Sequence, residues 1–324
     1  MMQALRFHGQ KDIRLDQIEI PICGKGQVKV RPAYVGICGT DLHEYLGGAN
    51  IMPTTPHPIT NEKVPLTLGH EFSGVIEEIG DDVEDIEVGT RVTVQPIIYD
   101  GTCRASLVEP IAVAWHAVNI SPFQKGDSAL ILGGGPIGLA VIQALKARGA
   151  GNIIVSEIAP RRKEFAKQFG ADHVLDPTKD DVVVRVRELC DGYGVNVAYD
   201  AAGVQAGLDQ AILALRARGT LVNIAIWEKT ANITPNALCF REKKYMGVAT
   251  YQEGDFQDVI DAIASGGSMV LSSKDPANDP WLGRLKPESM ITAKIQMDEV
   301  EEKGFKALIH DKENHVKILV QVSP

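Results

Sequence analysis

The spacing of apolar and polar positions divides the chain into a β-rich front and a middle in which strands and helices alternate. Val28–Val35 and Thr90–Val94 alternate as half-buried strands do, and Phe72–Ile79 reads as a strand that stops at Gly80 and Asp81. Glycines and prolines punctuate these runs. The stretch from Gly47 to Pro65 carries four prolines and reads as a long irregular loop, a length that usually goes with function or motion.

From Ser128 the pattern changes. Ser128–Leu132 is a short continuous apolar run, as expected of a strand buried on both faces. Ile137, Val141 and Leu145 then recur at helical spacing, and Asn152–Val155 reads as the next strand. Further strands are expected at His173–Leu175, Val195–Tyr199, Gly219–Ile226 and Tyr245–Thr250. Helices fall between and after them, over Arg161–Phe169, Val182–Cys190, Gln205–Arg216 and Phe256–Ala264. Strands alternating with crossover helices predict an α/β fold with a doubly wound parallel sheet. That sheet is complete by about Ser272, so the remaining tail is expected to return to the first domain.

The turn between the first two strands of this sheet carries chemistry. Gly133-Gly134-Gly135-Pro136-Ile137-Gly138 fits G-x-G-x-x-G, with a strand before it, a helix after it and Glu157 placed 19 positions beyond Gly138. Gly133 permits the tight turn, Gly135 lets a pyrophosphate approach the backbone, and Gly138 lets the helix pack close to the strand. Pro136 and Ile137 open the helix, whose free N–H groups and dipole suit phosphates. Glu157 is placed to accept from a ribose 2′-hydroxyl and to repel a 2′-phosphate, which favours NAD. Arg161 and Arg162 lie just beyond and could meet a phosphate, so NADP is not excluded.

Length, charge and cysteine usage narrow the class. Two domains suit 324 residues. A net charge of −9 argues against nucleic acid or an anionic membrane as partner. Five scattered cysteines do not form a disulfide framework, and Met1–Arg6 leads straight into strand-like sequence, so a cytoplasmic protein is expected. His116, on a helix expected over Pro110–Val118, reads as packed; His57, His310 and His315 read as solvated.

Three fragments of the front carry zinc-ligand types. They are Gly36-Ile-Cys38-Gly-Thr40-Asp41-Leu-His43, Leu68-Gly-His70-Glu71-Phe72 and Leu107-Val-Glu109-Pro110. None is specific alone. In this order before a nucleotide fold they resemble the zinc-dependent medium-chain dehydrogenases. The resemblance covers nearly the whole chain through VGICGTDLHEYLGG, PLTLGHEFSGVIEEIG, VTVQPIIYDGTC, LVEPIAVAWHAV, GGGPIGL, YDAAG and GFKALIHDKENHVKILV. Within that family the chain looks most like the 2,3-butanediol enzymes, with sorbitol-type polyol enzymes close by.

The resemblance implies a GroES-like catalytic domain over 1–118, a Rossmann NAD-binding domain over 119–271 and a return to the first domain over 272–324. Cys38, His70 and Glu109 match the ligands of one catalytic zinc, with Glu71 beside the histidine able to approach the metal. Thr40 and His43 match a proton relay, Asp41 a group that orients the metal site, and Tyr45 is placed to line the substrate pocket. The implied reaction passes hydride between a secondary alcohol and NAD, with zinc as Lewis acid. A homo-oligomer, dimer or tetramer, is also implied.

The chain departs from the family after Cys103. Relatives carry a lobe there with clustered cysteines for a structural zinc, then further strands; here Cys103 is followed directly by Arg104-Ala-Ser-Leu-Val-Glu109. The next cysteine is Cys190, so a four-cysteine structural zinc is excluded by counting and Cys103 is expected to be a free thiol. The shortening raises the alternative of an NAD-binding remnant without catalysis.

Overall fold

The structure is a computed structural model and describes residues 1–50, 52–57, 61–94, 108–227, 229–252, 254–264 and 287–323. The chain forms two compact units, Met1–Val108 with Ile291–Pro324, and Glu109–Met290.

In the first unit β1 (Met2–Gly9) and β2 (Asp12–Ile18) pair antiparallel. The strand β3 (Val28–Gly36) leads through Ile37 and Cys38 into the helix α1 (Gly39–Gly47). The short β4 (Leu66–Thr67) joins the free side of β1, and β5 (Glu71–Ile79) and β6 (Arg91–Thr93) follow. The second unit begins with the helix α2 (Val108–Ile120). It continues as β7 (Ser128–Leu132), α3 (Pro136–Ala147), β8 (Asn152–Ser156), α4 (Pro160–Gln168) and β9 (His173–Leu175). Then come α5 (Val182–Glu188), β10 (Val195–Asp200), α6 (Gln205–Ala214), β11 (Leu215–Asn223), α7 (Pro235–Cys239), β12 (Lys244–Gly247) and α8 (Asp255–Ala264). The tail supplies β13 (Ile291–Gln296), a π-helical turn over Val300–Lys306, α9 (Ala307–His310) and β14 (Lys317–Gln321).

The tail completes the first unit. Its two strands extend a five-stranded sheet in the order β13-β14-β3-β5-β6, with β14 antiparallel to β3 and parallel to β13. Ile37, Tyr45, Ile295, Val300, Phe305, Ile318 and Val320 pack as one buried cluster, so residues more than 250 positions apart share a core.

The second unit holds a six-stranded sheet, β12-β11-β10-β7-β8-β9, parallel in every pairing. The order reverses between β7 and β10, the switch point outside whose carboxyl ends such sheets bind their ligands. Ala129 to Leu132 are all buried, which is why this strand shows no alternation. Asp181 caps α5 by accepting the Val184 N–H at 3.1 Å.

Several boundaries differ from the sequence pattern. The helix expected to reach Arg216 ends at Ala214, and the strand expected from Gly219 begins at Leu215. Leu208, Ala211, Ile212 and Leu215 keep helical spacing, but Leu215 is already extended and pairs with Val195. The same strand stops at Asn223 rather than Ile226, because the N–H groups of Ile224 and Ala225 turn back to the Asp200 carbonyl. The first boundary falls at Val108/Glu109, not at 118/119, since α2 is fastened within the second unit. There His116 Nδ1 lies 2.6 Å from Asp255, Asn119 donates to the same carboxylate, and Ser121 meets the Tyr199 hydroxyl. The return begins at Ile291 rather than 272. Cys103 and the shortening after it lie outside the described residues.

Candidate metal and dinucleotide sites

Three strand ends build the first site. Strand β3 stops at Gly36 and turns through Cys38 into α1; β5 starts at Glu71, directly after His70; β14 starts at Lys317. Cys38 Sγ, a His70 ring nitrogen and a Glu71 carboxylate oxygen lie within 4.8 Å of one another. Soft sulfur, imidazole and carboxylate in one cluster suit zinc.

Helix α1 arranges what surrounds these donors. The Asp41 carboxylate reaches back one turn to accept the Cys38 N–H at 2.9 Å, and its other oxygen lies 3.6 Å from His70 Nδ1. One buried group thus holds the cysteine backbone and faces the imidazole, as outer-shell carboxylates do at metal sites. Burial pushes the Asp41 carboxyl above its ordinary value, with His70 and the Cys38 N–H pulling against it. The Thr40 hydroxyl lies 3.2 Å from His70 Nε2. His43 follows one turn later on α1 and is half-buried.

Glu71 is 1% exposed and Lys317 2%, and the Lys317 ammonium meets both Glu71 oxygens, at 2.8 and 2.5 Å. It also donates to the Ile37 carbonyl at 3.2 Å. Gly36 makes this possible: a Cβ there would run into Glu71 Oε2, so the carboxylate crosses bare backbone on its way from β5 to β14.

The second unit supplies the other site. Gly133, at φ +90°, donates to the Ser156 carbonyl and turns the chain into α3. A Cβ on Gly138 would strike the Gly133 carbonyl oxygen, so only glycine lets the helix sit this close. Gly135 differs: a Cβ there would find only Arg162 Nη1, at 3.9 Å. The space above the helix N-terminus is therefore open, with Pro136 as first helical residue and the buried Arg162 Nε without a hydrogen-bond partner beside it. An open glycine cradle, free helix N–H groups and an unmatched cation fit a pyrophosphate.

Glu157 is buried, and its carboxylate is largely taken up by backbone. Oε1 accepts from Ile158 and Ala159, both at 2.8 Å, and Oε2 accepts from Gly134 at 2.6 Å. A carboxylate has about four acceptor positions, so one remains on Oε2 for a ribose hydroxyl.

Two further residues were expected to contribute. Glu109 lies in the first turn of α2, half-buried and within the second unit. Tyr45, expected to line a substrate pocket, is a core residue at 4% exposure; its ring packs 5.0 Å from Phe305 and its hydroxyl donates to Glu301. On α1 Tyr45 is buried together with Asp41 and Glu44, whereas Thr40 and His43 are half-buried. His116 is buried and bonded as expected; His57 and His315 are half-buried rather than solvated, and His310 is exposed.

Comparison with known proteins identifies the family. A family profile described as "Zinc-binding dehydrogenase" matches residues 136–265, and one described as "Alcohol dehydrogenase GroES-like domain" matches residues 24–132. The (R,R)-butanediol dehydrogenase of Bacillus subtilis (strain 168) is 39% identical over 365 aligned positions, which cover 99% of each chain. The chain belongs to the zinc-dependent medium-chain dehydrogenases. The (R,R)-butanediol dehydrogenase of Neisseria gonorrhoeae is 34% identical over 98% of this chain and 99% of its own. The X-ray structure of 2R,3R-butanediol dehydrogenase from Bacillus subtilis superposes with a TM-score of 0.88, at 38% identity and full coverage of both chains. Membership makes this chain an oxidoreductase that uses zinc and a nicotinamide cofactor. Among the described residues no helix is long and apolar enough to cross a membrane.

The sequence pattern passed over Gly36 and Lys317. A lysine inside the apolar run Val316-Lys-Ile-Leu-Val320 was the available signal, since a strand lysine that is buried needs an acid to meet it.

Proposed function

We propose that this dehydrogenase interconverts a vicinal diol and its hydroxyketone, of the 2,3-butanediol and acetoin kind, with NAD. The observation that carries the reading is the meeting of Cys38, His70 and Glu71 donor atoms within 4.8 Å, in a chain alike along its whole length to butanediol dehydrogenases. When bound, zinc supplies Lewis acidity that acidifies the substrate hydroxyl, and the nicotinamide supplies the hydride acceptor.

The chain's own residues do the rest. Cys38 and His70 hold the ion, and Glu109 keeps the ligand role that the family resemblance gives it. Asp41 fixes the Cys38 backbone and faces His70, so both donors stay oriented. Thr40 takes the proton of the substrate hydroxyl and passes it toward His43, three residues on along the same helix face. Gly133, Gly135, Pro136, Ile137 and Gly138 cradle the pyrophosphate, and Arg162 offers its unmatched Nε to a phosphate oxygen. Glu157 favours NAD over NADP, because a buried carboxylate beside the ribose repels a 2′-phosphate.

The absence of a cysteine between Cys103 and Cys190 supports a single zinc per chain. A homo-oligomer and a cytoplasmic location complete the proposal. The test is metal analysis of the purified protein together with NADH formation from 2,3-butanediol, and NADH consumption with acetoin. Zinc-loaded protein that turns over no diol, polyol or ketone would leave only the NAD-binding remnant. Activity that survives exhaustive chelation would point to a metal-free reductase.

A further inference from the structure

We propose that Lys317 is a positioning residue that withholds the Glu71 carboxylate from the metal ion. The inference rests on the zinc reading of the Cys38–His70 site and deepens it. Glu71 lies within 4.8 Å of the other two donor atoms, so an ion held there has this carboxylate within reach. Yet both of its oxygens are engaged by one ammonium, at 2.8 and 2.5 Å. That ammonium is fixed in turn by the Ile37 carbonyl, one residue before Cys38. Both charges are almost wholly out of water, at 1% and 2% exposure, so neither is replaced cheaply by solvent. Moving Glu71 onto the ion would break this buried ion pair.

The geometry favours the pair staying closed. The carboxylate reaches Lys317 across Gly36, where any side chain would block it. Lys317 therefore sets how many anionic donors the ion has. With Glu71 held back, the ion carries less ligand charge, stays more electrophilic and keeps a position for the substrate oxygen. With Glu71 released, a further anionic donor binds, the ion is held more tightly, and the position for substrate is contested.

Cobalt(II) tests this without reference to turnover, because its visible bands weaken when a fifth donor joins a four-coordinate site. The full-length protein and its Lys317→Met form are titrated with Co2+, following the bands and the dissociation constant by competition with a chelator. Lys317→Met should bind Co2+ about tenfold or more tightly and show weakened bands. The double variant Lys317→Met/Glu71→Gln should return to the bands of the unaltered protein, which a merely structural role of Lys317 would not produce. A Lys317→Met form with unaltered bands and affinity overturns the inference. Should that variant fail to fold, Glu71→Gln alone decides: its Co2+ bands match those of the unaltered protein if Lys317 withholds Glu71, and differ if Glu71 is already a ligand, which overturns it. An unaltered protein that takes up no Co2+ overturns the zinc reading itself, and this inference with it.

Discussion

Gly36 on β3 stands directly opposite Glu71 on β5, and the Glu71 carboxylate fills the space where a side chain at position 36 would begin. The carboxylate cannot swing aside, since Lys317 grips both of its oxygens. An added methyl group must then push apart a buried ion pair or bend the β3–β5 ladder. Gly36→Ala should cost about 1–3 kcal/mol, the usual range for overpacking a filled site. Gly9→Ala is the control, because a Cβ there meets nothing within 4 Å. Urea denaturation of both checks the account, and a Gly36→Ala form as stable as Gly9→Ala contradicts it.

Two glycines of one motif should fail in different ways. A Cβ on Gly138 meets the Gly133 carbonyl oxygen, a backbone atom fixed by the turn. Gly138→Ala should therefore lower stability by about 1–3 kcal/mol even without cofactor. Gly135 has open space above it and an extended backbone, φ −75° and ψ −177°, that valine adopts readily. Gly135→Val should keep the unfolding midpoint and lose NADH binding, because the valine fills the place of the pyrophosphate. Thermal denaturation without cofactor and NADH fluorescence titration separate the two. Unchanged NADH affinity in Gly135→Val would move the pyrophosphate elsewhere.

The second unit was legible in the sequence because its signals are local. Ser128–Leu132, the glycine turn and Asn152–Ser156 each declare themselves within a few residues, and the parallel sheet follows from alternation of strand and helix. The first site was legible only in part. Cys38, His70 and Glu71 could be picked out by type, and Asp41 through the family resemblance. Lys317 could not, since it lies 246 positions from Glu71 and is brought to it only by the return of the tail into the sheet. Tyr45 was misjudged because sequence adjacency to Thr40 and His43 says nothing about which face of α1 a residue occupies; the Phe305 contact decides that. The role of Glu157 was half seen. Its distance from Gly138 raised the expectation of a ribose contact, but not the three backbone N–H groups that its carboxylate ties together.

Those three contacts make Glu157 a support for the glycine turn as well as the proposed selector of cofactor. Glutamine at this position keeps one acceptor oxygen and turns the other into a donor, leaving at least one of the Gly134, Ile158 or Ala159 N–H groups unmatched. Losing a charge-assisted bond of this kind should cost about 1.5–3 kcal/mol. Glu157→Gln also removes the charge that disfavours a 2′-phosphate. NADH should bind more weakly and the NADPH to NADH affinity ratio should rise, as read by fluorescence titration of both. A ratio that does not move would remove Glu157 from the discrimination.

Asp176, just past β9, should give the fold a dependence on acid. Lys163 bonds its carboxylate at 2.7 Å, and Thr178 adds its hydroxyl at 2.6 Å and its N–H at 3.0 Å. The Lys163 ammonium first, then Thr178, holds this carboxyl well below its ordinary value of 3.8. A group whose value is depressed on folding stabilises the native state above its unfolded value, and that stabilisation is lost as pH falls toward the folded one. Asp176→Asn lacks the charge at every pH but keeps an oxygen for Thr178. The midpoint difference between the unaltered protein and Asp176→Asn should therefore be level from neutral pH down to about pH 5 and shrink as the pH drops through about 4 and below. Thermal unfolding of both proteins across that range tests it, and a gap that persists undiminished in strong acid would assign the stabilisation to shape rather than to the ion pair with Lys163.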